Sequence, residues 1–232
     1  QTATLSISSL EGFKTSKNWL AKLRPTLFVI RLLALAFIIV AMARPRTVDE
    51  STRVKTTKGI DIVIAIDVSA SMLARDLKPN RLEALKSVAS RFIQARPKDR
   101  IALVEYAGES YTKTPLTSDK NIALASLKSI RYNNVIEGGT AIGMGLATSV
   151  NRLKESRAKG KVIILLTDGV NNSGFIDPKI ASELAVEFGI KVYTIGLGSN
   201  GMALSPIGVK QDGTFQYGNI QVEIDEDLLK QI

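Results

Sequence analysis

The sequence predicts a doubly wound α/β domain, a mostly parallel sheet flanked by helices, preceded by one transmembrane helix. Three observations predict it. Strand-like and helix-like patterns alternate from Lys58 onward, the order that builds a parallel sheet. Two runs, 59–68 and 161–169, are apolar and β-branched almost without interruption, as central strands covered on both faces are. A third run, 26–43, is 18 residues long and apolar all round except for Arg31.

Taken in order, residues 1–25 read as a basic juxtamembrane segment, 26–43 as the membrane helix and 44–57 as a linker. The domain follows over 58–232. As a helix, the apolar run rises about 27 Å, close to a hydrocarbon core of about 30 Å. Arg31 lies near its start and can snorkel toward the headgroups beside Arg24. Pro25 suits a first turn, and Arg44-Pro45 ends the run. Ala41-Met42-Ala43 has the form of a signal cleavage site, but Arg31 and the 25 residues before the run favour a retained helix. Residues 1–46 hold seven basic residues and one acid, so +6 of the net +9 surrounds the apolar run. That placement points to a membrane surface and not to nucleic acid, for which no basic-aromatic module is present. Basic residues flank the helix almost evenly, so charge alone leaves its orientation open.

In the domain, the strand at 59–68 closes on Asp67. A helix follows Pro79, with Leu82, Leu85, Val88, Ala89, Phe92 and Ile93 at helical spacing and Asn80 with Glu83 as a capping-box-like start. Residues 100–107 form a second strand and 110–114 a short third. A helix over 119–129 is capped by Ser118 or Asp119, and another covers 140–156, with Ile142, Leu146, Val150 and Leu153 on one face. The run 161–169 is the fourth strand and closes on Asp168. A helix over 178–188 leads to a fifth strand at 190–199. Residues 207–224 carry an Asp212-Gly213 turn and read as an inserted β-hairpin, and 225–232 as the start of a helix. There is no internal repeat.

Composition narrows the chemistry. The chain has no Cys and no His, which removes disulfides, thiolate zinc sites, thiol nucleophiles and the usual general base of serine hydrolases. A metal here is hard and oxygen-bound. In a doubly wound sheet, ligand sites lie beyond the carboxyl ends of the strands. Asp67 and Asp168 both end central strands at that rim. Ser69, Ser71 and Thr140, the last after Gly138-Gly139 at an expected helix N-terminus, can reach the same place. Together they offer five oxygens, two of them anionic, one short of the six that Mg²⁺ takes. The ligand set suits Mn²⁺ equally. Each piece alone has a plain structural reading: Asp and Ser favour turns, and Thr favours helix caps. The joint placement at one rim is the specific signal.

IDIVIAIDVSASM, the GGT of 138–140 and VIILLTDGVNN together resemble the metal-ion-dependent adhesion site of von Willebrand factor A domains. The resemblance runs from about Lys58 to the end, with its three motifs in the family's order. ALAFIIVAMARPR set directly before such a domain is similar to the bacterial aerotolerance proteins of the BatA/BatB type, as are the hairpin and the VEIDEDLLKQI ending. The resemblance implies a site made of Asp67, Ser69, Ser71, Thr140 and Asp168, holding Mg²⁺ or Mn²⁺ completed by an acidic side chain of a partner protein. It implies a periplasmic domain anchored in a bacterial inner membrane, other Bat proteins and a MoxR-type AAA+ ATPase as partners, and a role in assembling or maintaining envelope complexes. On the family pattern the chain stops before a final strand and helix. The loops at 72–78, 107–111, 133–137 and 171–175, with Met72, Tyr111 and Phe175, are the places to look for partner contacts. Two other readings stand beside this non-enzymatic one. Haloacid-dehalogenase-like phosphatases also end a first strand in Asp beside Mg²⁺, but carry a second Asp where this chain has Ser69. A metal-free scaffold would use Asp67 and Asp168 only as caps.

Overall fold

Every residue of the first central strand is buried, and it is this strand around which the sheet is laid out. The computed structural model describes residues 19, 23–43, 59–132, 138–168, 170–210, 213–222 and 224–232. Two compact units divide the chain, Gln1–Val54 and Lys55–Ile232. In the first, helix α1 spans Arg24–Ala43, and it is long and apolar enough to cross a membrane. It begins one residue before Pro25, which sits in the first turn where its missing N–H is not needed. Most of the basic segment and the linker at 44–57 lie outside the described residues.

The second unit holds a five-stranded sheet in the order β3-β2-β1-β4-β5. β1 is Asp61–Asp67, β2 Arg100–Tyr106, β3 Ser110–Thr117, β4 Lys161–Thr167 and β5 Lys191–Gly196. All pairings are parallel except β2 with β3, which is antiparallel. Helix α2 (Arg81–Gln94) follows β1, α3 (Lys120–Ser129) follows β3, α4 (Ile142–Leu153) precedes β4, and α5 (Pro178–Glu187) precedes β5. Strand periodicity sends alternate residues of β1 into two cores. Ile62, Ile64 and Ile66 pack with Leu82, Leu85, Ile93 and Leu127 of α2 and α3. Val63 and Ala65 pack on the other face with Ile142, Leu146, Val150, Ala181 and Ala185 of α4 and α5.

The caps follow the sequence with adjustments. Asn80 accepts the amide of Glu83, while the Glu83 carboxylate pairs with Lys86. Asp119, not Ser118, caps α3. The expected helix at 140–156 is shorter at both ends. It starts at Ile142 with Ala141 in the cap position, so Thr140 stands two residues before the helix. The inserted hairpin is longer than expected: β6 (Gly201–Val209) pairs antiparallel with β7 (Phe215–Val222). Pairing begins at Gly201, before the expected start at Ile207, and Pro206 is paired across to Tyr217 in a two-stranded ribbon whose strands are both edges, where a proline is tolerated. Asp212 of the turn lies outside the described residues. The last helix, α6, is Glu226–Gln231, capped by Asp225.

Candidate functional site

The chain leaves β1 for β2 and β3 on one side, then crosses to β4 and β5 on the other. β1 and β4 therefore flank the point where the strand order reverses, and a crevice opens there at their carboxyl ends. Asp67 is the last residue of β1, and Asp168 is the first after β4.

Asp67 is fully buried. Its Oδ1 accepts the amide of Ser69 at 2.9 Å, which begins the turn after the strand, and its Oδ2 accepts the Thr167 hydroxyl at 2.9 Å from β4. A single 3₁₀ turn follows, Ala70–Leu73, pinned by the fully buried Met72. That turn brings the Ser69 and Ser71 hydroxyls to 2.9 Å of each other. Met72 is thus core, which removes it from the candidate partner contacts.

Thr140 is buried and strapped to the loop after Asp168. Its amide donates to Asn172 Oδ1 at 2.8 Å, and its carbonyl accepts the amides of Asn172 and Ser173 at 3.1 and 3.2 Å. Asn171 Oδ1 accepts the first helical amide, Ile142, at 2.9 Å. The two asparagines of VIILLTDGVNN therefore hold the start of α4 against the rim. Gly139 is required for this approach: its φ is +103°, and a Cβ there would sit 2.8 Å from the Ser173 Cβ.

The electrostatics are unbalanced. Burial, and then the neighbouring Asp168, push the Asp67 carboxyl up to about 7, although the Ser69 and Thr167 hydrogen bonds pull it back in part. Asp168 is buried as well. Its Oδ2 lies 3.4 Å from the Arg81 guanidinium, and its Oδ1 is buried with no hydrogen-bond partner among the described residues. Arg81 is 1% exposed and was not singled out by the sequence, where a charged residue in a first helical turn reads as solvated. It is held chiefly by Asp76, with Nε to Oδ1 and a terminal nitrogen to Oδ2 both at 2.8 Å. Burial alone would raise the Asp76 carboxyl, but the Arg81 hydrogen bonds and the Ser199 amide hold it at about 2.

At the rim the buried carboxyls of Asp67 and Asp168 stand together, and the one guanidinium that reaches Asp168 is held chiefly by Asp76, so ionising both leaves an excess of negative charge. A divalent cation would neutralise that excess and give the orphaned Asp168 Oδ1 a partner. The residues present fit such an ion: two carboxylates and the hydroxyls of Ser69, Ser71 and Thr140 make a hard, all-oxygen donor set. No group of three or more His, Cys, Asp or Glu stands together among the described residues, so a cation here depends on the hydroxyls. Of the loops flagged for partner contact, Tyr111 donates its hydroxyl to Glu105, and Phe175 is 97% exposed. The loop at 133–137, like Gly169, lies outside the described residues.

The sequence profile of the von Willebrand factor type A domain matches residues 61–217. An uncharacterized protein of Borreliella burgdorferi is 33% identical over 201 residues, which cover 86% of this chain; the chain spans 58% of that relative's length. The crystal structure of BatB from Bacteroides thetaiotaomicron matches with 30% identity and a TM-score of 0.65, covering 75% of this chain and 85% of that one. An aerotolerance-related membrane protein from Bacteroides fragilis matches with 29% identity and a TM-score of 0.63, over 75% and 86%. Proximal thread matrix protein 1 of the mussel byssus, solved with a zinc-occupied MIDAS motif, matches more distantly: 28% identity and a TM-score of 0.51 over 60% of this chain and 35% of that one.

Proposed function

The chain belongs to the von Willebrand factor type A domain family, and from that premise we propose a membrane-anchored module that binds other proteins through a divalent cation. Asp67, Ser69, Ser71, Thr140 and Asp168 would hold the cation, and an acidic side chain of the partner would complete its shell. When bound, the cation supplies a Lewis-acidic bridge between two sets of oxygen ligands. The protein's own residues do the rest: Asn171 and Asn172 orient the Thr140 segment, and the Ser69 amide and Thr167 hydroxyl fix Asp67. The observation that carries the reading is the pair of adjacent buried carboxyls at the rim, Asp67 and Asp168, with Oδ1 of Asp168 lacking a hydrogen-bond partner among the described residues.

Mg²⁺ and Mn²⁺ are both compatible with the donors, and the zinc in the mussel protein's motif supports a divalent cation at the matching place. α1 would supply the anchor, which the likeness to an aerotolerance-related membrane protein supports, and the domain would stand in the periplasm beside a bacterial inner membrane. Other Bat proteins and a MoxR-type ATPase would be its partners, in a role that assembles or maintains envelope complexes. Phosphotransfer is disfavoured, because Ser69 stands where a phosphatase needs its second acid and its hydroxyl is engaged with Ser71.

Affinity capture from solubilised membranes tests the proposal. The partner is expected to be retained with Mn²⁺, released by a chelator, and lost with Asp168→Asn. Capture that is indifferent to chelator and to Asp168→Asn contradicts it. Turnover of a generic phosphate ester, lost in the same variant, would favour the phosphotransfer reading instead.

A further inference from the structure

We propose that Arg81 is a positioning residue that couples the cation rim to the β6–β7 hairpin. This rests on the metal reading of the rim given above. Arg81 touches Asp168 at one end of its guanidinium and Asp76 along the other edge, at 3.4 and 2.8 Å. The Asp76 carboxylate in turn holds the base of the hairpin, accepting both the amide and the hydroxyl of Ser199, at 2.9 and 3.2 Å. Gly198, one residue before, has a φ of +138°, and a Cβ there would come within 2.6 Å of the Arg81 Cζ. The connection that leads from β5 into the hairpin is therefore packed directly on the guanidinium. Two further contacts fix the hairpin beside it. The Arg75 amide donates to the Leu204 carbonyl at 2.9 Å, and the Arg75 guanidinium lies 4.1 Å from the Tyr217 ring centroid.

The chain of contacts runs Asp168, Arg81, Asp76, Ser199, with every step at 3.4 Å or less. The planar guanidinium is suited to this, because its donors are fixed relative to one another. By taking Oδ2 of Asp168, Arg81 leaves Oδ1 for the cation and sets the angle of the carboxylate. A cation that draws on Asp168 then favours the Arg81 position that also holds Asp76 and Ser199. By linkage, a docked hairpin strengthens cation binding by the same factor that the cation strengthens docking. The hairpin thus reports, or controls, occupancy of the rim.

The test uses the full chain in detergent micelles with Mn²⁺ as the probe. Affinity is read by calorimetry, amide exchange over 73–80 and 196–206 by mass spectrometry, and folding by circular dichroism. Wild type is expected to bind Mn²⁺ and to slow exchange in both segments when saturated. Arg81→Gln and Arg81→Lys are expected to bind about 10–100-fold more weakly. The lysine keeps the charge but not the fork, so its loss assigns the effect to geometry. Asp76→Asn is expected to bind Mn²⁺ without the change in exchange over 196–206. If Arg81→Gln fails to fold, the lysine and Asp76→Asn variants carry the test. Wild-type affinity in Arg81→Lys, or exchange over 196–206 unmoved by saturating Mn²⁺ in wild type, overturns the coupling alone. A folded wild type that binds no Mn²⁺ overturns the rim reading as well.

Discussion

Strand β1 carries a buried aspartate at each end, and the two are treated differently. Asp61, at the amino end, is 1% exposed and matched by a cation: Arg100 meets both of its oxygens, at 2.8 and 2.5 Å, and the Ser156 hydroxyl adds a third donor. Asp67, at the carboxyl end, is just as buried, but its donors are an amide and a hydroxyl, and its charged neighbour is a second carboxylate. The first is a carboxylate in the service of the fold, neutralised where it lies. The second has no cation to match it among the described residues, and burial beside Asp168 makes its ionised form costly, so its carboxyl keeps a proton up to about 7. The difference is what the proposed cation site at the carboxyl end of the sheet rests on.

The comparison can be broken at either end. Arg100→Ala should be the most damaging change, costing about 3 kcal/mol in chelator, because it strands a buried charge. Asp67→Asn should be neutral or stabilising under the same conditions, since it relieves the repulsion with Asp168. Denaturant unfolding of both variants checks this pair, and a large loss in Asp67→Asn without metal would erase the distinction.

Adding cation should reverse the order at the rim. Mg²⁺ or Mn²⁺ at a hundred times its Kd should stabilise wild type by about 2.7 kcal/mol. It should leave Asp67→Asn and Asp168→Asn unmoved. In chelator the pH dependence carries the same signature. The folded state holds the Asp67 proton up to about 7, whereas the unfolded chain gives it up near 3.8. The stability this group contributes is therefore complete below about 4 and lost as pH rises to about 7. Subtracting the Asp67→Asn profile from wild type isolates that slope, and saturating Mn²⁺ should abolish it.

Smaller effects sharpen the picture. Ser69→Ala removes a hydroxyl whose described partner is Ser71 and should cost about 1 kcal/mol in chelator while weakening Mn²⁺ binding measurably. Phe175→Ser should shift the unfolding midpoint least, by under about 0.5 kcal/mol, because the ring is 97% exposed. A loss of captured partner in that variant, with Mn²⁺ binding intact, would identify the ring as a contact beside the rim.

Much of this arrangement is legible in the residues. IDIVIAID and VIILLTD are continuous apolar runs because both faces of β1 and β4 are covered, and each places its acid where the strand must stop. The oxygens of Ser69 and Ser71 follow from alternation in a tight turn. Arg81 was not legible, because its burial is decided by Asp76 and by Gly198 of a segment over a hundred residues away. Thr140 reads as a helix cap from local pattern alone, but the helix starts at Ile142, whose amide the Asn171 side chain accepts, while Asn172 holds the amide of Thr140 itself. The hairpin extends back to Gly201 for a related reason: it is the pairing with β7, not the local pattern, that makes a strand of 201–206.

The central claim is that the uncompensated end of the sheet holds a divalent cation. Calorimetric titration of Mg²⁺ and Mn²⁺ into the full chain, beside Asp67→Asn and Asp168→Asn, tests it most directly. Saturable binding by wild type that both folded variants lose is the predicted result. A folded wild type that takes up neither ion, or variants that bind as wild type does, would contradict it.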